Sequence, residues 1–447
     1  MHLRQNRLTE QDIVMRPFSM LYRCMGLTYC LFSINTAQAS GVFVDAQNGA
    51  GVGYAFAGQA ALTDNASTAA FNPAGLVHLS SKNEGVHLSG SLAHVNISTS
   101  FDNQQSTAAD PSIPVGESHS EMNPSLTIPS GQAVYVDQQW AIGLSITPMY
   151  GTDGEWGDQF VGRYQGQKTE ITGMHVSQAY SFRLNPTLSI GLGVDYLNFE
   201  AKLTRNLPIM WSNGSYLGDT KEALAGDGDG WGGNIGLLWT PSAQTHIGLT
   251  YRSQIDLNLK GDLTTTTPTP NGDLTTIVQT DVDTSTPQSV SLSGTYQLNP
   301  IWKLLGDVSW YDWSVISTMT AKNRSTKATA YEEALNFQDG WRFSAGAKYA
   351  FSSALELRGG MAYDASVVKD DQTRNVRFPD ADRIWLSVGA GYRCSDVSSI
   401  DVGYAHVMTD TSHIDRPTTL SPATTQRVKG DFESSADVLS VQFNYHF

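Results

Sequence analysis

The sequence predicts an all-β fold, an antiparallel transmembrane β-barrel of about fourteen strands. Three observations carry that prediction. Segments of period-two alternation recur from about Glu84 to Phe447, with no long amphipathic helix among them. Tight turns alternate with long polar connections, the arrangement of strands that cross a bilayer back and forth. Charged residues make up 16% of the chain and aromatic residues 10%, against a usual charged share of about 25%. Once the N-terminal leader is set aside, no window approaches the ~18 apolar residues of a spanning helix. Such a composition points to many strands and few helices.

Residues 1–39 read as an export signal peptide. Arg16 and Arg23 precede an apolar run over 25–34, and Ala37-Gln38-Ala39 is a small-x-small cleavage site. Met15 offers an alternative start, because residues 1–14 are polar and add nothing to the signal. Removing the leader takes Cys24 and Cys30 and leaves Cys394 alone. A disulfide framework and a cysteine-based zinc site are thereby excluded. The net charge of −15 gives no footprint for nucleic acid.

Residues 49–76 read GAGVGYAFAGQAALTDNASTAAFNPAGL, with Asp64 as the only charge. Small residues pack closely inside something larger but bury too little apolar surface to form a core alone. The stretch ends in Asn72, Pro73, Ala74 and Gly75, where proline fixes one backbone angle and glycine frees another. The physical reading is a compact, helix-poor insert that needs a container. This run closely resembles the N-terminus of the long-chain fatty acid outer-membrane transporter family (FadL type). In that family the segment is a hatch that plugs the barrel lumen, and its Asn-Pro-Ala turn maps onto Asn72, Pro73 and Ala74. The resemblance implies a hatch over 40–82 and a barrel over 83–447.

The strands follow. In the last, Leu439, Val441, Phe443, Tyr445 and Phe447 share one face, and Ser440, Gln442, Asn444 and His446 share the other. Upstream, Trp341, Phe343, Ala345 and Tyr349 alternate with Arg342, Ser344 and Lys348, and Leu357 and Met361 alternate with Arg358 and Asp364. In a soluble sandwich the charged face would meet water, and in a barrel it would line the lumen; the leader and the terminal Phe447 favour the barrel. The C-terminal Phe447 resembles the signal read by the outer-membrane assembly machinery. Tight turns are expected near Asp137, Pro186, Pro241, Pro300, Ser352 and Ser395, on the periplasmic side. Long extracellular loops are expected over 102–123, 151–167, 206–229, 262–287, 321–336, 368–380 and 409–431. Gly228-Asp229-Gly230-Trp231-Gly232 and the stretch from Pro379 through Asp382, Arg383 and Trp385 also resemble the family, so the similarity spans the mature chain.

Candidate chemistry is sparse. Residues 226–230 (GDGDG) suggest calcium, but the twelfth position counted from Asp227 is Leu238 where an EF-hand needs glutamate, so a solvated loop entering a strand is the reading. His175 and Ser177 share a lumenal face without an identifiable third group, which leaves them as ordinary lumen residues. No metal, cofactor or catalytic set is assigned. The strand over 187–205 is more informative. Its inward face starts polar with Ser189 and Asp195, then becomes apolar with Leu197, Phe199, Ala201 and Leu203. The following loop carries Ile209 and Trp211 and is unusually apolar. A pocket for a hydrophobic ligand explains that shift, and packing against the hatch or a loop explains it equally. By parity, Arg252 and Arg342 are lumenal cations that could meet a carboxylate, though pairing with nearby acids is the default.

Taken with the resemblance, these residues imply a passive outer-membrane importer of hydrophobic molecules, long-chain fatty acids first. Leu197, Phe199, Leu203, Ile209, Trp211, Arg252 and Arg342 are its candidate binding residues. The resemblance also implies lateral release through the wall, and Pro148, which cannot donate to a strand ladder, marks the candidate kink. Gln338 stands where fatty-acid carriers of the family can have lysine, which leaves room for uncharged aromatic hydrocarbons. The implied partners are fatty acids or hydrocarbons, the lipid bilayer, lipopolysaccharide and the assembly machinery, with the protein a monomer. A water-filled porin, a barrel enzyme and an adhesin acting through its loops are the alternatives.

Overall fold

A computed structural model of the chain describes residues 43–44, 46–81, 84–108, 110–210, 215–421 and 424–447. The signal peptide assigned to 1–39 and Trp211 lie outside the described residues. The described chain is an all-β closed antiparallel barrel of 14 strands. They are β1 (Gly85–Asn103), β2 (His119–Met122 and Ser125–Val136), β3 (Trp140–Glu155), β4 (Lys168–Asn185), β5 (Leu188–Met210) and β6 (Tyr216–Ser242). Next come β7 (Thr245–Arg252 and Asp256–Thr267), β8 (Leu274–Ser285 and Ser289–Asn299), β9 (Trp302–Tyr311 and Thr318–Asn323) and β10 (Thr329–Ala334 and Gly340–Ala350). The barrel ends with β11 (Leu355–Asp364), β12 (Arg383–Arg393), β13 (Ser398–Thr409 and Ser412–Ser421) and β14 (Thr424–His446). Each strand pairs with the next, and β14 closes the ring on β1 through rungs such as Gly90–Phe443.

The faces follow the alternation. On β14, Leu439, Val441 and Phe443 are exposed while Ser440 and Gln442 are buried in the lumen. Leu386 and Val388 on β12 and Leu292 on β8 continue the exposed apolar band. Aromatic pairs mark its periplasmic edge: Tyr135 with Trp140, Trp302 with Tyr349, and Tyr445 with Phe447. Such a surface would drive aggregation in water and is what a lipid-facing wall requires. The tight turns fall where the sequence puts them.

The long connections differ from expectation. Much of 206–229, 262–287, 321–336 and 409–431 is strand, continuing the hairpins beyond the apolar band. These extensions meet no lipid, so their outer faces carry threonine and acidic residues in place of an apolar period. The threonine-rich run of β7 keeps the β-branched character that suits a strand. The glycine-rich 226–232 segment likewise lies within β6. Ideal Cβ atoms at Gly228, Gly230 and Gly232 would stand 2.6 Å from the Asn258 carbonyl oxygen, 2.5 Å from that of Asp256 and 2.7 Å from Ile255. The glycines let β7 lean inward across β6, so close backbone approach explains the motif.

The lumen is filled by residues 46–81. A short helix (Gly49–Val52) is capped by Asn48, whose side chain accepts from the Gly51 N–H; a second short helix (Thr68–Phe71) leads into a 3-10 turn (Pro73–Ser81). Glycines on the wall make room for this insert: an ideal Cβ at Gly191 would lie 2.3 Å from the Ala74 nitrogen, and one at Gly248 1.9 Å from the Ala60 oxygen. The wall grips hatch carbonyls with lumenal side chains: Arg342 donates to Ala55 (3.3 Å), Arg252 to Ala70 (3.1 Å) and Ser189 to Ala74 (2.8 Å). The hatch's Asp64 pairs with Lys348 of β10.

Candidate functional site

Above the hatch, inward side chains of β3, β4, β5, β7, β8, β9 and β10 and a loop after β11 surround a cavity of about 560 Å³. Its wall is apolar: Ile171, Leu257, Leu259, Val282 and Leu335 interleave with Tyr150, Phe199, Trp313, Phe337 and Phe378. The rings meet edge-on, Tyr150 with Trp313 at 6.5 Å and Phe337 with Phe378 at 5.8 Å. That geometry suits aromatic quadrupoles and leaves ring faces available.

The polar end of the cavity is Arg377 and Glu333. The guanidinium Nε donates to Glu333 at 3.0 Å, Nη1 donates to the Lys168 carbonyl at 2.7 Å and Nη2 to the Tyr331 hydroxyl at 3.2 Å. Arg205 lies over the Tyr331 ring at 4.2 Å and pairs with Glu222 at 2.8 Å. Arg416 donates to the carbonyls of Thr373 and Ala334. Arg377 is the guanidinium that lines this end of the chamber, Arg205 and Arg416 stand outside the lining, and Asp256 and Asp283 line the chamber elsewhere. A further loop segment caps the barrel nearby: Trp156, Phe160 and Val161 are buried against Phe101, Val376 and Phe432. There Tyr164 donates to Asp219, and burial followed by that carboxylate holds its hydroxyl above the usual tyrosine range.

Phe43 and Tyr311 pack against the apolar cluster of the chamber and line the smaller space beside the hatch. Phe43 stands between Tyr150 (5.8 Å) and Tyr311 (5.5 Å), and the Val44 N–H donates to the Met149 carbonyl at 2.9 Å. That bond falls on an irregularity of β3, where the register slips between Pro148 and Tyr150. Rungs between β2 and β3 run only from Val136–Ala141 to Gly131–Ile146. Beyond Ile146, among the described residues, β3 has rungs to β4 and a single bridge from Tyr150 to Phe43 but none to β2, and Thr147, Met149, Tyr150 and Thr152 are buried together where alternation would expose every second one. The wall has a gap at this point, bordered by Pro148.

The sequence-derived candidates separate in space. Phe199 and Leu203 line the cavity, and Leu197 is fully buried behind them in the same apolar cluster. Ile209 lies at the far tip of β5 opposite Gly218, away from the cavity. Arg252 and Arg342 line a smaller space between wall and hatch. Arg252 meets Asp195 at 2.9 Å and Arg342 meets Asp364 at 2.7 Å, so both are spent on buried carboxylates and hatch carbonyls. Gln338 points elsewhere too, donating to the Ser366 carbonyl at 3.0 Å. His175 has an acid beside it, Asp195 at 3.2 Å, while Ser177 accepts from Asn234 at 3.2 Å. Among the described residues no hydrogen bond joins Ser177 to His175. Asn72, Pro73, Ala74 and Gly75 form the turn seated on the glycines of β5 and β6: Asn72 donates to the Ala60 and Leu237 carbonyls and accepts from the Ala74 N–H. Arg377, Glu333 and Trp313 were not foreseen. Their only signal is charge and aromaticity within loops, which names no partner.

A family model described as "Outer membrane protein transport protein (OMPP1/FadL/TodX)" matches residues 30–447. The chain is 27% identical over 413 residues to the long-chain fatty acid transport protein of Escherichia coli O6:H1 (strain CFT073), covering 83% of this chain and 87% of that one. It is 28% identical over 380 residues to the 47 kDa outer membrane protein of Pasteurella multocida (strain Pm70), covering 80% and 84%. Among solved structures, a Pseudomonas aeruginosa FadL homologue superposes with a TM-score of 0.80 at 21% identity, over 91% of this chain and 100% of that one. The P. putida toluene transporter TodX does so with a TM-score of 0.65 at 18% identity, over 89% and 99%. Both share this fold. A match across the hatch and all the strands, on a lipid-facing barrel, makes this chain a member of the OMPP1/FadL/TodX family of outer-membrane transport proteins.

Proposed function

We propose that this protein imports hydrophobic molecules, long-chain fatty acids first, and releases them sideways through the barrel wall. The observation that carries the reading is the apolar chamber with the Arg377 guanidinium at one end. Its volume of about 560 Å³ falls in the range of small-molecule sites, ~300–1,000 Å³. Burying an acyl chain gains about 25 cal/mol per Å² of apolar surface, and a carboxylate at the Arg377 end gains charge-assisted hydrogen bonds. The E. coli relative is named for long-chain fatty acid transport, which agrees with this chemistry. A second reading, an aromatic hydrocarbon as ligand, is favoured by the edge-on rings of Tyr150, Phe199 and Trp313 and by the fold shared with a toluene transporter.

In this reading the ligand rests on Phe43. Breaking the single Val44–Met149 hydrogen bond lets Phe43 leave its place between Tyr150 and Tyr311, and the chamber then meets the gap between β2 and β3. Such a gap needs β3 to stay bulged, and Pro148 has no N–H with which to complete a regular ladder. Replacing Pro148 with valine should therefore regularise β3 and lower oleate uptake several-fold, with the same amount of heat-modifiable barrel in the outer membrane. Unchanged uptake by the Pro148→Val protein would overturn lateral release at this place.

A further inference from the structure

We propose that the barrel has a second lateral aperture, a window between β8 and β9 through which hydrophobic ligand passes from the outer leaflet into the apolar chamber. This inference rests on the chamber being the ligand site, as argued above. Among the described residues, rungs between β8 and β9 form two separate ladders. The lower ends at Ser289–Tyr311, and the upper comprises only Thr280–Asn323, Asp281–Lys322 and Val282–Ala321. Between them, 283–287 and 313–320 face each other without a rung.

The backbone at both edges bonds away from this opening. On the β8 side, the Thr286 N–H donates to the Ile255 carbonyl of the β7 side at 2.9 Å and the Thr286 hydroxyl accepts from the Ile255 N–H at 3.0 Å. Pro287 has no N–H to offer. On the β9 side, the Ile316 N–H donates back to Trp313, and the Ser317 carbonyl accepts from Leu335 and Asn336 of the β10 side. Buried polar backbone is thus satisfied without a ladder across the gap, so the opening is built into the fold. A sill closes it below, where Asp312 N–H donates to the Gln288 carbonyl and the Gln288 amide to Asp312 at 2.9 Å. A lintel closes it above, where Arg324 pairs with Asp281 at 2.8 Å.

The rim belongs to the chamber. Residues 283–287 of one edge and Val315, Ile316, Thr318 and Met319 of the other all line the same cavity as Phe199 and Trp313. Pro287, Val315, Ile316 and Met319 give that rim the apolar character a greasy solute needs. Its height fits as well. The lower piece of β8 has 11 residues, which at a rise of ~3.4 Å and a tilt of ~40° span about 28 Å. The window therefore opens just above a lipid-facing band of ~25 Å, next to Trp310 and Trp341, which pair across β9 and β10. Irregular backbone is tolerated there, where the hydrocarbon ends.

The test blocks the window without touching the chamber. In a Cys394→Ser background, Ser317→Cys, at an exposed rim position outside the chamber lining, is labelled with a bulky maleimide, and Ser325→Cys, at the exposed turn between β9 and β10, is labelled as the control. Oleate is mixed with purified protein in liposomes, and the change in total tryptophan fluorescence, to which Trp313 in the chamber contributes, reports its arrival. The label at Ser317→Cys should slow association about tenfold while the equilibrium amplitude stays the same, and the label at Ser325→Cys should change neither. Normal binding at an unaltered rate with Ser317→Cys labelled would overturn the window alone. No equilibrium binding of oleate by the unlabelled protein would overturn the chamber as ligand site and the window with it.

Discussion

A valine at Gly236 should unseat the hatch and turn a closed barrel into a leaking one. An ideal Cβ at this position would stand 2.0 Å from the Asn72 Oδ1 and 3.0 Å from the Pro73 Cδ. Neither neighbour can give way. Gly236 is held in ladders on both sides, to Gly191 and to Thr250. Asn72 is completely buried and joins the hatch to itself and to the Leu237 carbonyl. Overpacking costs about 1–3 kcal/mol, and each buried polar group left unpaired when Asn72 is displaced costs about 1–3 kcal/mol more. The hatch buries mostly alanine and glycine, so its own packing offers little to oppose such a sum. Ion conductance in planar bilayers and sensitivity of cells to large antibiotics should both rise. Gly131→Val is the control, because nothing lies within 4 Å of its Cβ position. Conductance equal to wild type from a folded Gly236→Val barrel would show that the seat tolerates the side chain.

Arg377→Met should abolish oleate binding and loosen the extracellular cap. The side chains of Arg377 and Glu333 are 1% and 7% exposed, so removing the guanidinium strands a buried carboxylate at a cost of about 3–5 kcal/mol. Loss of binding by that variant alone is ambiguous between lost recognition and lost packing. The double variant Arg377→Met/Glu333→Gln separates them. It removes both charges, should recover most of the thermal stability, and should still fail to bind oleate while toluene binding persists. Oleate binding at wild-type affinity by the double variant would remove the headgroup assignment from Arg377.

Much of this architecture was legible because lipid imposes a period. Where a strand meets the bilayer, every second residue must be apolar, and Leu439 to Phe447 or Trp341 to Tyr349 show it directly. Past the bilayer the constraint lapses, which is why the outer halves of β5 to β10 and of β13 and β14 read as loops. The GDGDG segment shows the same limit: its glycines answer to the backbone of β7, and that neighbour cannot be seen from β6. Parity placed Arg252 and Arg342 in the lumen correctly, yet only three-dimensional packing shows both turned to hatch carbonyls and buried acids. Phe199 and Leu203 could be placed on an apolar inward wall because that face changes from polar to apolar along one strand. Arg377 and Glu333 could not be foreseen, because they come from different segments and meet only through folding. Pro148 announced an irregular ladder by its missing N–H, whereas the matching interruption of β8 and β9 has no such signature beyond Pro287.

The central claim is that the chamber carries hydrophobic molecules across the outer membrane. It is tested most directly by uptake of radiolabelled oleate and toluene in cells that lack their own importer, with and without this protein. The account predicts saturable oleate uptake that depends on the protein and falls in the Pro148→Val variant. If neither compound enters while the barrel is folded in the outer membrane, the claim is contradicted.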